Sequence, residues 1–291
     1  MWPFHCNNAA NRSLPNTGGQ AARATQDHRR RRGLTLVELL MATAVLSIMA
    51  AALGTLAMTV RTSSDYTLRH GVTTQHGRIA IERIERALNQ AHASEQFPGF
   101  VVFSDTVDGA VFPETLVVWH PAGDPANPDG LPLKSEVVVF CPEVDQPNRL
   151  MELTVPDNHN PVPSLDDTSA WLADLAVLKT TSIGERTVLT GRLRTAAVVD
   201  GAPGDTSLRG AVRFSQLIRP SESQWAEYQA GDIAWDDLPW PQNVFGSATG
   251  LRQSWCRIEL QLTTDPDASS DAPAEVVPFF GSAAVYYELH K

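Results

Sequence analysis

A single acidic residue within an apolar stretch has the clearest chemical consequence in this sequence. Between Leu34 and Val60, the only ionisable side chain is that of Glu38. A carboxylate inside a membrane helix costs about 2.5–3.5 kcal/mol on insertion scales, so such a residue is expected to have a function and a partner. Glu38 therefore predicts a site that works by charge pairing in otherwise apolar surroundings.

The residues before this stretch indicate what the partner is. The run Arg29–Arg32 is followed by Gly33, whereas a secretory signal peptide has its small-residue cleavage site after the apolar core. Cleavage after Gly33 would remove a basic leader, keep the apolar helix and create an ammonium group on Leu34. Glu38 lies about one helical turn later, so its carboxylate could pair with the Leu34 ammonium of a neighbouring subunit. Each charge would then offset the desolvation of the other.

The apolar stretch is long enough to cross a bilayer. As a helix with a rise of about 1.5 Å per residue, residues 34–60 reach roughly 40 Å, more than the hydrocarbon core of about 30 Å. The run Arg29–Arg32 stands at one end, and Arg61 is alone at the other. The positive-inside bias predicts a cytoplasmic N-terminus and an extracytoplasmic, periplasmic body, and thus a single-pass inner-membrane protein.

The segment Gly33–Glu38, with the sequence GLTLVE, resembles the prepilin cleavage and methylation motif of type IV pilins and type II secretion pseudopilins. The resemblance implies that a membrane prepilin peptidase cuts between Gly33 and Leu34 and then N-methylates Leu34. It also implies that Glu38 is the family's glutamate at the fifth mature position, which acts in assembly. Two features depart from the family pattern: many members begin with Phe or Met, and many have shorter leaders. The alternative is a signal-anchored membrane protein with an accidental glutamate.

The charge of the body argues against nucleic-acid binding, and its lack of local catalytic motifs argues against enzymatic activity. The net charge is −10. Residues 1–33 hold six arginines and one aspartate, a net +5, so the remainder carries −10 − 5 = −15. An acidic body does not provide the basic surface that nucleic-acid binding needs. The sequence contains no P-loop, HExxH, GxSxG or paired-cysteine metal motif. We therefore expect no enzymatic activity, no cofactor, no metal site and no nucleic-acid partner.

The remaining chain predicts an α+β fold of the pilin-like kind. Ile81, Ile84 and Leu88 fall on one helical face, and Phe97-Pro98-Gly99 ends the helical pattern. The predicted organisation is a leader at 1–33, a transmembrane and assembly helix at 34–60, an extended amphipathic helix at 61–96 and a β-rich extracytoplasmic domain at 97–291, with the helix packed on antiparallel sheet. A separate surface helix with a break near residues 62–77 is the alternative.

Short Val- and Phe-rich runs between Pro, Asp, Gly and Asn turns predict the strands of this domain. A second helix is predicted at 168–178, and the Trp-containing residues 221–250 are predicted to form an ordered irregular insertion, whose tryptophans are core residues or a partner surface. The predicted strands are Phe100–Ser104, Thr115–His120, Ser135–Cys141, Arg149–Val155, Ala211–Arg219, Ser254–Thr263 and Ala283–His290.

Cys141 and Cys256 allow two interpretations. In an exported body they are a candidate disulfide, and the alternative is two buried free thiols. The sequence alone leaves this choice open.

Helix placement and size resemble a J-type minor pseudopilin or a W-type minor pilin. The resemblance implies a minor subunit that assembles with sibling pilins at an inner-membrane assembly platform, in a type II secretion pseudopilus. The alternatives are a type IV pilus tip subunit for adhesion, motility or DNA uptake, in which the Trp-containing insertion binds a ligand, and an exported enzyme on a membrane anchor.

Overall fold

The computed structural model describes residues 34–180, 183–199, 206–241, 248–265 and 275–291. The chain divides into two compact units, Met1–Thr59 and Val60–Lys291. The described part of the first unit belongs almost entirely to helix α1, Leu36–Asn89. The second unit, here called the body, holds the rest of α1 and all the sheets.

Within its described residues, the body contains ten strands and two further α-helices, α2 (Thr168–Thr180) and α3 (Glu222–Ala230). Strands β1 to β5 form a five-stranded antiparallel meander, β8 to β10 form a three-stranded antiparallel sheet in the order β10-β9-β8, and β6 pairs with β7. The strands are β1 (Phe100–Val107), β2 (Ala110–Trp119), β3 (Val137–Pro142), β4 (Leu150–Thr154), β5 (Glu185–Thr190), β6 (Thr195–Val199), β7 (Thr206–Gly210), β8 (Val212–Arg219), β9 (Leu251–Thr263) and β10 (Val276–Glu288).

Both larger sheets contribute to one main core against the buried face of α1. Ile84 and Leu88 are 0% and 1% exposed, and they share a cluster with Phe140 of the five-stranded sheet and Ile258 of the three-stranded sheet. This face follows from the 3.6-residue period of the apolar side chains. The predicted amphipathic helix, packed on antiparallel sheet, is confirmed.

Polar contacts also join α1 to both sheets. The Arg83 guanidinium donates to the Glu152 carboxylate of β4, with Nε to Oε2 at 2.7 Å. On the other side, the Ser282 backbone N–H of β10 donates to Glu85 at 3.0 Å. Because these bonds come from neighbouring residues of one helix turn, they fix the rotation of α1 between the two sheets.

Residues 62–77 are helical without a break, so the alternative of a separate surface helix is wrong. Gly77 lies against the ring of Phe279, where an added Cβ would come within 2.5 Å of the ring. This glycine allows close helix–sheet approach, which offsets its unfavourable helix propensity. The helix ends at Asn89, before the predicted end at residue 96.

The seven predicted strands and the helix at 168–178 are all present, with ends shifted by up to seven residues. Residues 221–250 are more regular than predicted, because they contain α3. This helix has a capping box between Ser221 and Gln224 and ends at Gly231, whose φ is 85°. Residues 242–247 of the predicted insertion lie outside the described residues.

The tryptophans of this insertion form a small core. Trp235 and Trp240 have ring centroids 4.7 Å apart, and Trp225 packs on Tyr228 at 5.0 Å. Leu238, Tyr287 and Leu289 belong to the same cluster. Trp240 is buried, which confirms the core interpretation for this residue, whereas Trp225 and Trp235 are half-buried at the edge of the cluster.

The candidate disulfide between Cys141 and Cys256 is not formed in the structure, where both are free, buried thiols. Cys141 lies with Val139 in the cluster on the α2 side of the five-stranded sheet, whereas Cys256 lies in the main core with α1. Phe140, which precedes Cys141 on β3, lies in the main core, and neighbouring side chains on a strand point to opposite faces of the sheet. The five-stranded sheet therefore lies between the two sulfur atoms. Burial raises the pKa of each thiol to about 12, which keeps both protonated at neutral pH.

Candidate processing and assembly site

The residues that the sequence predicts to be cleaved, methylated and paired lie at the start of α1. Leu34 and Thr35 precede the helix, and Glu38 stands in its first turn. The Leu34 side chain is 75% exposed. Gly33 and the predicted leader, residues 1–33, lie outside the described residues.

Thr35 and Glu38 form a reciprocal cap at the helix N-terminus. The Thr35 backbone N–H donates to Glu38 Oε2 at 3.0 Å, and the Thr35 hydroxyl donates to the same oxygen at 3.1 Å. In return, the Glu38 backbone N–H donates to the Thr35 hydroxyl at 3.3 Å. This is the capping-box arrangement, in which two otherwise unpaired N–H groups find partners. Sequence reasoning missed it, although the spacing of Thr and Glu carries the signal.

The cap also fixes the position of the carboxylate. Its Oε2 takes both Thr35 donors, and no cation lies within ion-pair distance of Glu38 among the residues from 34 onward that the structure describes. The carboxylate thus has acceptor capacity left for a further donor. The arrangement suits an ammonium supplied from outside the described residues.

The surroundings of Glu38 are apolar and uncovered within the first unit. Every residue of α1 from Leu36 to Thr59 is exposed, including Leu46 at 64% and Met58 at 73%. Helix α1 is long and apolar enough to cross a membrane. An exposed apolar surface of this extent marks a membrane or protein contact. The first unit is therefore built to be covered by lipid or by other helices.

Comparison with known proteins agrees with this site. The model of the prokaryotic N-terminal methylation motif matches residues 28–54, which include Gly33, Leu34 and Glu38. No curated protein and no solved structure matches the chain. The chain thus carries a prepilin-type methylation motif at the start of a long apolar helix. It is pilin-like, and the motif indicates a structural subunit.

The motif also carries consequences for processing and location. It implies processing by a prepilin peptidase and assembly with other pilins, and the apolar helix fits a single-pass inner-membrane anchor. The long apolar helix followed by antiparallel sheets gives the α+β composition of a pilin-like fold.

A second charged site, which the sequence did not reveal, lies inside the body. Arg209 of β7 binds Glu114 of β2 at 2.6 Å and Asp105 of β1 at 3.1 Å, and Lys179 of α2 lies 3.5 Å from Asp105. Glu114 is buried and the other three side chains are half-buried around it, and the two acids and two cations balance. The group ties α2 and the β6–β7 hairpin to the five-stranded sheet. We call these four residues the buried charge cluster.

Burial and neighbouring charges shift the pKa values of the two acids of the buried charge cluster in opposite directions. Burial raises the pKa of Glu114 above its ordinary 4.5, against the attraction of Arg209. Burial also acts to raise the pKa of Asp105, but the nearby Lys179 and Arg209 cations outweigh it and hold that pKa below 3.8. Every member of the cluster has a charged partner. The cluster therefore has a structural role, because its ion pairs hold α2 and β7 against the five-stranded sheet.

Proposed function

We propose that the protein is a minor pseudopilin, cut between Gly33 and Leu34 by a prepilin peptidase and assembled into a type II secretion pseudopilus. The new N-terminal Leu34 is N-methylated. The 1–33 leader is removed, residues 34–60 remain as the transmembrane and assembly helix, and the body stays outside the cytoplasm. The protein is a substrate of the peptidase and a building block of the filament.

Charge pairing in lipid explains why cleavage and assembly are coupled. Before cleavage, the Leu34 nitrogen is an amide and carries no charge. After cleavage it is an ammonium, which is costly to bury without a partner. The Glu38 carboxylate of a neighbouring subunit offers that partner at a similar membrane depth. Pairing offsets both desolvation costs and sets the axial register between subunits.

The capping box supports this role because it prepares the carboxylate. Thr35 holds Glu38 Oε2 through two hydrogen bonds, so less side-chain freedom is lost when an ammonium binds. The one observation that carries the proposal is the isolated carboxylate of Glu38 in an exposed apolar helix that the methylation-motif model matches.

The test is mass spectrometry of the membrane-bound protein, co-expressed with a prepilin peptidase. The expected N-terminus is N-methylated Leu34. Gly33→Val should block leader removal almost completely, because the bulky side chain occupies the position next to the cut peptide bond.

Gly71→Val is the matched control, since an added Cβ at Gly71 meets no atom within 4 Å. It should be trimmed like the wild type. An intact Met1 on the wild-type protein, or normal trimming of Gly33→Val, would contradict the proposed cut site.

A further inference from the structure

The three-stranded sheet has one covered face and one open face. The even-numbered residues of β9, among them Cys256 and Ile258, are buried in the main core with α1. Because neighbouring side chains on a strand point to opposite faces, the odd-numbered residues of β9 lie on the face turned away from α1. The register places residues 213–219 of β8 and 280–286 of β10 beside residues 253–259 of β9. We call the side chains of these three segments that point away from α1 the outer face.

Large apolar side chains of the outer face are open to solvent. Leu217, Phe280 and Tyr286 are 44%, 64% and 45% exposed, and Trp255 is half-buried. The register sets Leu217 directly beside Trp255, and Trp255 and Phe280 line one shallow depression of the surface. An exposed apolar patch with aromatic rings marks a protein contact, because Trp and Tyr carry much of the binding energy in protein interfaces.

The outer face is also basic, in contrast to the rest of the body. It carries Arg213, Arg219 and Arg257 against one acid, Glu259, a net +2. Residues 34–291 carry −15 in total, so the basic character is local to this face. Among the described residues, no acid lies within ion-pair distance of Arg213 or Arg219. These two cations are therefore open to carboxylates from a partner.

Contacts within the outer face hold its other polar and aromatic side chains in place. Arg257 Nη2 pairs with Glu259 Oε1 at 2.5 Å, and the Arg257 guanidinium lies 6.0 Å from the centroid of the Phe280 ring. The Gln253 side-chain amide donates to the Tyr286 hydroxyl at 2.7 Å. A surface whose side chains are already ordered loses less conformational entropy when a partner binds.

The spacing of Arg213 and Arg219 sets the size of the partner. They stand at opposite ends of β8, about 20 Å apart at a strand rise of about 3.4 Å per residue, so one small anion does not reach both. We propose that the outer face docks the acidic surface of a different protein, with carboxylates on these two arginines and apolar side chains on Leu217 and Trp255. This interaction site is separate from the start of α1 and does not depend on the proposed assembly function.

Charge favours such a partner over two other occupants. A nucleic acid needs a larger basic footprint than a net +2, and its long polyanionic backbone would also meet the acidic remainder of the body. A symmetric dimer through this face would set arginines against arginines, because a two-fold interface uses the same patch on both subunits. A compact acidic protein surface meets the arginines and the apolar patch without either cost.

A random copolymer of glutamate and tyrosine is the probe, because it presents carboxylates and aromatic rings together. Polyglutamate of the same length offers the carboxylates alone. The full chain is held in phosphatidylcholine nanodiscs, and binding is measured by biolayer interferometry in about 150 mM NaCl, where charges more than about 8 Å away are largely screened. After subtraction of empty nanodiscs, the copolymer should bind saturably and at least about tenfold more tightly than polyglutamate.

Charge reversal tests the two arginines. The double variant Arg213→Glu/Arg219→Glu should weaken copolymer binding at least about tenfold, because like charges then face the probe. The matched control, Arg78→Glu/Arg86→Glu, changes the net charge equally at exposed positions of α1 and should change Kd less than about threefold. All four side chains lie at the surface, so near-UV circular dichroism should show an unchanged fold in both variants.

Trp255→Ala tests the apolar patch. It should lower the affinity for the copolymer to about that for polyglutamate, because the arginine contacts then remain without the aromatic one. Equal losses in the two charge-reversal variants, or a wild type that binds the copolymer no better than polyglutamate, would overturn the docking site.

The two other occupants have their own readouts. A thymidine oligonucleotide that binds more tightly than the copolymer, and that Arg213→Glu/Arg219→Glu no longer binds, would make the outer face a nucleic-acid site and overturn the proposal. Analytical ultracentrifugation of the detergent-solubilised chain tests the second copy. A dimer that the same variant dissociates would assign the face to self-association and would overturn the proposal as well.

Discussion

Helix α1 has two parts with opposite relations to their surroundings. From Leu36 to Thr59 every residue is exposed, although most are apolar. From Thr73 to Leu88 the apolar side chains on one face are buried, and polar residues occupy the other. Helix α1 therefore has an exposed apolar part from Leu36 to Thr59, here called the open part, and a part from Thr73 to Leu88 with one buried face, here called the closed part.

The difference shows where each part obtains its stability. The second part is stabilised by burial against the chain's own sheets, which contributes roughly 1.5–3 kcal/mol for each fully buried large apolar side chain. The first part is exposed along its described length, so its apolar surface is expected to be stable only in lipid or against other subunits. Substitutions in the first part should therefore affect assembly into filaments, whereas substitutions in the second part should affect the free energy of unfolding of the body.

The largest effect is expected at Glu38, in the open part. Glu38→Ala should leave leader removal largely intact but reduce incorporation into filaments more than tenfold, because truncation of one partner in a buried charge pair costs 2–5 kcal/mol or more. Incorporation is measured as the fraction of processed protein in sheared filaments. Glu82→Ala, an exposed acid on the body part of α1, is the control and should assemble normally.

Glu38→Gln separates charge from capping. The amide keeps the length of the side chain and an oxygen that can accept from Thr35, but it has no charge for the ammonium. It should assemble as poorly as Glu38→Ala. Normal assembly of Glu38→Gln would show that capping, and not charge, is what assembly requires.

A second experiment compares the same substitution in both parts of the helix. Leu88→Ala in the body should lower the free energy of unfolding by about 2–5 kcal/mol, through lost burial and a residual cavity. Leu46→Ala, at a residue 64% exposed, should change it by less than about 0.5 kcal/mol. Denaturant unfolding of the body, followed by near-UV circular dichroism, measures both. Equal losses would break the distinction between the two parts.

The motif and the helix of the open part were predictable from the sequence because their signals are local. Glu38, Leu34 and the arginine run lie within one short segment, and the helix follows from length and hydropathy. The long inner strands were predictable for a similar reason. In β9, Ile258 and Leu260 alternate with Arg257 and Glu259, and the structure buries the first pair.

Strands β5, β6 and β7 were missed because they lack this alternation. β5 is an edge strand with few buried residues, and β6 and β7 are largely exposed, so packing places little demand on their side chains. The buried charge cluster was missed for a different reason. Its residues come from four separate elements, and their meeting depends on how β1, β2, α2 and β7 pack.

The cluster provides the smallest predicted effect, a pH dependence confined to the body. The pKa of Glu114 is raised by burial, so folding favours its protonated form. Its contribution to stability is therefore complete below the unfolded value near 4.5 and is lost as pH rises through the folded pKa. Asp105 acts in the opposite sense, because its lowered pKa makes its contribution fall only below about pH 3.8.

Glu114→Gln isolates the first of these effects, since the amide cannot ionise but can still accept from Arg209. Between pH 4.5 and 8, the wild-type free energy of unfolding should fall relative to that of Glu114→Gln, measured by denaturant unfolding at each pH. Glu82→Gln, at an exposed acid of α1, should run parallel to the wild type. A wild type that gains stability relative to Glu114→Gln over this range would mean that Arg209, and not burial, dominates the Glu114 carboxyl, and the cluster would then be a conventional ion pair.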